Sequence, residues 1–533
     1  VRLKIQRHGR VALAAGFVLA VFVVLPGLGF ASRLLAPATN PMGLTPTQWL
    51  ALRETALLMA GVAAVAASIG VALAWLVSVY DFPGRRWIDV AAVLPLAFPT
   101  YLAAYVAVDM LDFFGPVQSG YRWLTGARSA RDYWFPDMRS LGGAIVILGL
   151  ALMPYIFIPC RILFSRSGRN VIEAGRLLGA HGWRLFLRVG LPIAAPAMLA
   201  GVVLALLETL NDIGAVEYLG VSSLSAVIRD LWLNRFDLAG AARLAAIALA
   251  VVIILLLIDP DARMGVASRN AMRSASEPRR VRLSGPGGFL VSAFAALPLL
   301  VGFLLPSLHL ISLAIRNPGN RAGFAELAES TAQTVFLGLS VSLVVVGAGA
   351  LIAIAMRMLG GFRRIGTLTL IGYATPGTVL VLAMMPVLGS LDDAASRVVL
   401  PVLFTGSMLA VIYALSVRFL GLGVSQAALA LNRLPLNVDA VARIHGLSDG
   451  QLAWRIHWPA IRPGLMMGAL LVFIDTVKEL PATLLLRPLN VETLATRAYS
   501  KASAGLFETG AIESLMIVLI SALASMLLIR RPG

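Results

Sequence analysis

The chain has 533 residues, of which 59% are hydrophobic and only 13% charged, with a formal net charge of +17. This balance excludes a soluble globular domain, whose surface needs far more polar residues. The one cysteine, Cys160, cannot form an internal disulfide, and no Cys/His spacing suits a zinc or iron–sulfur site, so redox chemistry is set aside.

Apolar runs of roughly 20 residues, enough to cross a hydrocarbon core, recur along the chain. In chain order they predict spans at 11–30, 52–79, 88–111, 141–164, 196–218, 241–258, 289–315, 331–356, 366–388, 398–417, 463–486 and 511–529. The expected fold class is an all-α polytopic membrane protein with about 12 transmembrane helices. The first run follows a basic stretch, as a signal peptide does, but it is too long and more spans follow, so it reads as the first helix. Basic residues sit in short clusters between the runs rather than on one face. That pattern argues against nucleic acid and makes them topology signals in a lipid-embedded chain. Arg2, Lys4, Arg7 and Arg10 at one end, with Arg530 and Arg531 at the other, place both termini in the cytoplasm of a bacterial inner membrane. Arg85 and Arg86, the group Arg166, Arg169, Arg176, Arg184 and Arg188, and the run from Arg263 to Arg282 agree. Segment 112–140 conflicts mildly: Arg122, Arg128, Arg131 and Arg139 fall on the outer side, partly balanced by Asp112, Asp132 and Asp137.

The chain repeats itself. Gly179 to Gly201 reappears without a gap as Gly446 to Gly468, an offset of 267 (446 − 179). The same offset pairs Arg188 with Arg455, Pro192 with Pro459, Pro196 with Pro463, Glu208 with Asp475 and Asp212 with Glu479. Pro99 stands opposite Pro376 at a slightly different spacing. The expected domains are a six-helix half at 1–258, a cytoplasmic linker at 259–288 and a second six-helix half at 289–533. Both copies start on the same side, so the repeat is parallel and a substrate passes between the halves.

Between the fourth and fifth spans lies the polar stretch EAGRLLGAHGWRLFLRVGLP, Glu173 to Pro192. Ala174, Arg176, Leu177 and Leu178 favour a short helix, Gly179 can end it, Trp183 to Val189 can form another, and Pro192 opens the next span. The stretch resembles the EAA motif of binding-protein-dependent ABC permeases. Glu173, Ala174, Gly179, Leu191 and Pro192 fall on the motif, with Gly175 in place of its second alanine. The second copy, AVARIHGLSDGQLAWRIHWP, keeps Ala442, Gly446 and Pro459. It has Ala440 where the glutamate belongs, Asp439 beside it, and departs again at Val441 and Trp458. The resemblance implies a coupling knob that docks on a dimeric cytoplasmic ATP-binding cassette ATPase; the plainer reading is a tight hairpin joining two spans. The chain's three lysines, Lys4, Lys478 and Lys501, lie in no GxxxxGK[ST] loop, so ATP and Mg are expected on that partner, with no cofactor here. No nucleophile, base and oxyanion set assembles either, and the chain reads as a transport subunit rather than an enzyme.

Span five carries Glu208 and Asp212; span eleven carries Asp475, Lys478 and Glu479. The acids of each half stand at i and i+4, on one helix face. A charge facing lipid at mid-membrane costs roughly 2.5–3.5 kcal/mol on insertion scales, so these residues face each other or a water-filled passage. They are either glue between helices, with Asp475 and Lys478 paired, or the lining of an acidic path suited to a hard cation. Gly214 and Pro481 occupy equivalent places just beyond the acids, where a break in the helix forms a gate. The stretches ETLNDIGAVEYLGVSSLSAVI and DTVKELPATLLLRPLNVETLATRAY resemble ferric-iron ABC transporter permeases, which are fused two-half chains. That resemblance implies transient Fe3+ contacts at Glu208, Asp212, Asp475 and Glu479, and a periplasmic ferric-iron-binding protein as donor. Thiamine, polyamine or another small solute is the alternative cargo. An ion-coupled secondary transporter is a second alternative, which the duplicated knob argues against. His8, His181, His309, His445 and His457 read as structural or interface residues.

Overall fold

The computed structural model describes residues 9–35, 44–167, 169–258, 280–316, 323–359, 366, 368–397 and 404–529. Most of the expected linker, and the terminal residues Arg2, Lys4, Arg7, Arg530 and Arg531 used for orientation, lie outside the described residues. Among the described residues the one strand pairing is Tyr80–Asp81 alongside Val281–Arg282, and nearly everything else is helix.

Among the described residues eleven helices are long and apolar enough to cross a membrane: Val11–Leu34, Pro46–Val79, Leu141–Ser165, Gly182–Asn211, Leu238–Leu257, Pro286–Arg316, Phe324–Met358, Gly377–Arg397, Met408–Leu431, Asp449–Lys478 and Phe507–Ala524. Counted as one span, the pair Arg85–Ala97 and Thr100–Thr125, bent by 98°, makes twelve. The protein is thus an all-α polytopic membrane protein. Thr45 and Gln48 form a capping box ahead of Pro46, which starts the second helix sharply. Ser140 and Ser407, again 267 apart, each cap a long helix by accepting a backbone N–H three residues on.

Four expected spans differ from the structure for identifiable reasons. The stretches 196–218 and 463–486 break at residues 212–213 and 479–480, and 366–388 breaks at Thr375 and Pro376. The span expected at 398–417 is the helix Met408–Leu431. Ser407 supplies its cap, a signal that the run of apolar residues masks.

The first helix of each sequence half packs on the opposite half. Gly29 sits so close to Ala383 that an added Cβ would come within 2.1 Å of the Ala383 carbonyl oxygen. The Tyr413 hydroxyl donates to the Val21 carbonyl at 2.5 Å. Reciprocally, Phe303 meets Phe98 edge-on at 6.0 Å, and His309 Nε2 lies 2.5 Å from Asp109 Oδ2. Both exchanged helices contain one widened π-turn, Ala20–Val24 and Leu300–Leu304, just before Pro26 and Pro306. Proline has no N–H to donate, and the wider turn absorbs the lost bond. Where a hydrophobic driving force between helices is weak, such backbone approaches at small residues supply the packing energy.

Two of the four arginines of segment 112–140 are occupied locally. Arg122 donates to the Phe113 carbonyl at 2.7 Å and to Tyr133 at 3.2 Å, and Arg139 lies over the Tyr218 ring at 5.1 Å. Asp132 accepts backbone N–H groups from Arg128 and Ser129, which hold its carboxyl below the usual range. A surface cavity of about 200 Å³ between Gln118, Tyr133 and Arg139 completes this layer.

Candidate functional site

Four breaks in helices converge at the centre of the bundle. Two lie after the bend residues Phe98–Pro99 and Thr375–Pro376, and two at Asp212–Ile213 and Glu479–Leu480. Each frees backbone groups that a straight helix would satisfy, and side chains take their place. Asp212 Oδ1 accepts the Ala215 N–H at 2.8 Å, capping Gly214–Tyr218. Glu479 caps Pro481–Leu486 by accepting the N–H groups of Ala482 at 2.8 Å and Thr483 at 2.9 Å, and the Thr483 hydroxyl at 2.6 Å. The second acid of each pair is therefore a helix cap, which accounts for its place in an apolar span.

A cavity of about 100 Å³ lies among these breaks. All five charged residues expected to line a path border it: Glu208, Asp212, Asp475, Lys478 and Glu479. Glu208 accepts the Tyr373 hydroxyl at 3.3 Å, and Asp475 pairs with Lys478 at 3.2 Å. Two reciprocal bonds tie the halves across the cavity. Asn211 Oδ1 accepts the Gly377 N–H at 2.8 Å, while Lys478, 267 residues further on, reaches back to the Leu96 carbonyl at 3.4 Å. Tyr101 and Tyr155 also line it. Among the described residues no group of three or more His, Cys, Asp or Glu is arranged to hold a metal ion, so the four acids form a diffuse lining rather than a cage.

Arg418 is the cavity residue that sequence reasoning missed. It is 5% exposed and its Nη1 lies 3.4 Å from Glu479 Oε1. The expected span 398–417 stops one residue short of it, so a boundary error hid an arginine in the bundle interior. Asn211 was missed as well, although it stands at the repeat offset of 267 from Lys478.

At one end of the bundle stand the two knobs. Residues 169–177 and 436–444 are helical, followed by Gly179 at φ +84° and Gly446 at φ +79°, then by short helices Gly182–Leu185 and Asp449–Leu452. Both first helices end in the same closing pattern. Ala180 N–H donates to the Gly175 carbonyl and Leu447 N–H to the Ala442 carbonyl, at 3.0 and 3.1 Å, and only glycine takes the intervening left-handed turn without strain. Gly175 is also close-packed: a Cβ there would meet Leu185 at 3.0 Å and Val189 at 3.1 Å, which favours glycine over the motif's alanine. Pro192 and Pro459 each lie in the first turn of the following helix, where no N–H is needed. Ala174 is exposed and Glu173 half-buried, while Leu177 and Ile444 are 89% and 83% exposed. Asp439 turns inward: Arg357 grips it through Nε at 2.8 Å and Nη2 at 3.0 Å, and His457 Nε2 lies at 3.1 Å. Partial burial pushes the Asp439 carboxyl upward, but these hydrogen bonds outweigh it and hold the group below the ordinary carboxylate range.

A polytopic bundle with exchanged helices, a charged cavity at converging helix breaks and two matching knobs is a membrane permease. Residues 66–260 match the family described as binding-protein-dependent transport system inner membrane component. Such systems imply a separate binding protein and ATPase. The chain is 24% identical to the Fe(3+)-transport system permease protein FbpB 2 of Haemophilus influenzae over 90% of its own length and 89% of that protein. It is 28% identical to the sulfate transport system permease protein CysT of Escherichia coli over 40% of this chain and 76% of that one. With the molybdenum transport system permease protein ModB of Escherichia coli it shares 27% identity over 41% of this chain and 94% of that one.

Proposed function

We propose that this chain is the transmembrane subunit of a ferric-iron importer, with halves at 1–258 and 289–533 and both termini cytoplasmic. The observation that carries the reading is the central cavity. It holds four carboxylates against two basic side chains, in a chain whose likeness to an Fe(3+) permease runs through both halves. Hard cations favour oxygen ligands, and a net acidic lining lowers the cost of bringing one into the membrane interior. Glu208 and Asp475 are the contacts best suited to a passing cation, because neither caps a helix. Asp212 and Glu479 contribute charge from fixed positions.

The energy comes from a dimeric ATPase that binds ATP and Mg and grips the two knobs; a periplasmic ferric-iron-binding protein delivers the cargo. Glu173, Ala174, Gly179 and Gly446, with the exposed Leu177 and Ile444, form the docking surface. Closure of the ATPase dimer pulls the knobs together, and their anchors in the bundle turn that pull into rocking of the halves about the cavity. Gly175, Pro192, Asp439, Ala442 and Pro459 hold each knob in shape. Arg418 and Lys478, together with the sulfate and molybdenum relatives, favour a second reading in which the cargo is an oxyanion.

Uptake into proteoliposomes holding this chain, its ATPase and its binding protein separates the two. Radiolabelled ferric iron is expected to enter only with ATP on the knob side, with sulfate and molybdate excluded. ATP-dependent entry of sulfate or molybdate with iron ignored overturns the iron assignment.

A further inference from the structure

The two halves do not contribute equally to the cavity. Ser140 and Ser407 fix the register between the helices Leu141–Ile162 and Met408–Leu431, and at that offset Arg418 corresponds to Ala151. The one guanidinium of the cavity therefore has no counterpart across the pseudo-symmetry. Its single ion-pair partner among the described residues, Glu479, already accepts three hydrogen bonds from Ala482 and Thr483. Arg418 Nε is buried and has no hydrogen-bond partner among the described residues. Gly377 borders the group closely, since a Cβ there would come within 3.2 Å of Nη1. A buried guanidinium with an unfilled donor, next to Glu208 and Asp475 that face the same space, is a poor structural strut. It is well placed as a charge that moves.

We propose that Arg418 is a tethered counter-cation: it neutralises the acids of the cavity when no cargo is present and must be displaced by a cation of higher charge. This rests on the cation reading above and deepens it, because it makes Arg418 a specificity-determining residue. A monovalent or divalent ion gains too little from the four acids to displace a guanidinium already among them, whereas a trivalent ion gains enough. The asymmetry between Arg418 and Ala151 also means that one half carries the competing charge.

The test uses the full chain in lipid nanodiscs, with Tb3+ as a hard trivalent probe read by luminescence sensitised from the nearby tyrosines. R418Q is expected to bind Tb3+ at least about tenfold tighter than the wild type, the equivalent of removing one competing interaction. Ca2+ is expected to compete with Tb3+ in R418Q and not in the wild type. Where R418Q fails to assemble, R418Q/E479Q is compared with E479Q, and the same tenfold difference is expected. Equal Tb3+ affinity with and without Arg418 overturns the counter-cation role. If that binding is still lost on neutralising Glu208 and Asp475, the cation reading survives the failure. A wild type that binds molybdate or sulfate but not Tb3+, and loses the anion in R418Q, overturns both.

Discussion

The two knobs have nearly the same backbone and are fastened to the bundle by opposite chemistry. In the first, Trp75 packs edge-on against Phe164 at 5.2 Å and at a tilt against Phe186 at 5.4 Å, and Phe186 meets Trp183 at 5.3 Å. Gly190 makes room for the indole, since a Cβ there would come within 2.5 Å of the Trp75 ring. Ile172 is buried on the inner side of that knob, 4% exposed. In the second knob, 267 residues on, Ile172 becomes Asp439 and Gly190 becomes His457, and the fastening is the Arg357–Asp439–His457 cluster. Arg357 also donates to the carbonyls of Leu431 at 2.5 Å and Pro435 at 3.1 Å. An apolar joint tolerates small shifts with little loss, while an ionic one holds a fixed geometry or leaves a buried charge unpaired. The comparison teaches that a repeat conserves the position of a joint and leaves its chemistry free.

Breaking each joint should show the difference. Trp75→Ala removes a buried indole and is expected to destabilise the assembled protein by about 3–5 kcal/mol, read as a lowered unfolding temperature in detergent. Asp439→Ala leaves Arg357 without its carboxylate and is expected to cost about 3 kcal/mol; Asp439→Glu should recover part of it in the same melt. Gly179→Ala or Gly446→Ala forces an alanine into a left-handed turn, with an expected cost of about 1 kcal/mol per site. Carrying Gly179→Asp and Gly446→Asp together adds bulk and charge at the docking face. ATPase stimulation by loaded binding protein is then expected to vanish while the subunit stays in the membrane.

Acid sharpens the comparison by a smaller amount. The folded carboxyl of Asp439 lies below its unfolded value of about 3.9, so its stabilisation is present above that pH and is lost as pH falls through the folded value. Wild-type protein is therefore expected to lose stability more steeply below about pH 4 than Asp439→Asn, which lacks the linkage. Equal slopes in melts across that range would contradict the ionic joint.

Much of this was legible in the sequence, because lipid enforces length and charge placement. Apolar runs located the spans, and the offset of 267 located both knobs and both acid pairs. The helix breaks were visible at Gly214 and Pro481, yet the capping role of Asp212 and Glu479 was not, since hydrophobicity does not report which side chain satisfies a freed N–H. Arg418 escaped because one-sided apolar counting set its helix about ten residues too early. The exchange of first helices left no local signal either. It depends on the close approach of Gly29 to Ala383, a contact across more than 350 residues of sequence that only the folded bundle reveals.

The central claim is that the cavity at the four breaks is a cation path, and Glu208 with Asp475 gives its cleanest test because neutralising them leaves both helix caps intact. In proteoliposomes with ATPase and binding protein, Glu208→Gln/Asp475→Asn is expected to lower iron uptake at least about tenfold while the complex still assembles and hydrolyses ATP, since two of the four cavity carboxylates are gone. Iron uptake at the wild-type rate through this double variant would contradict the account.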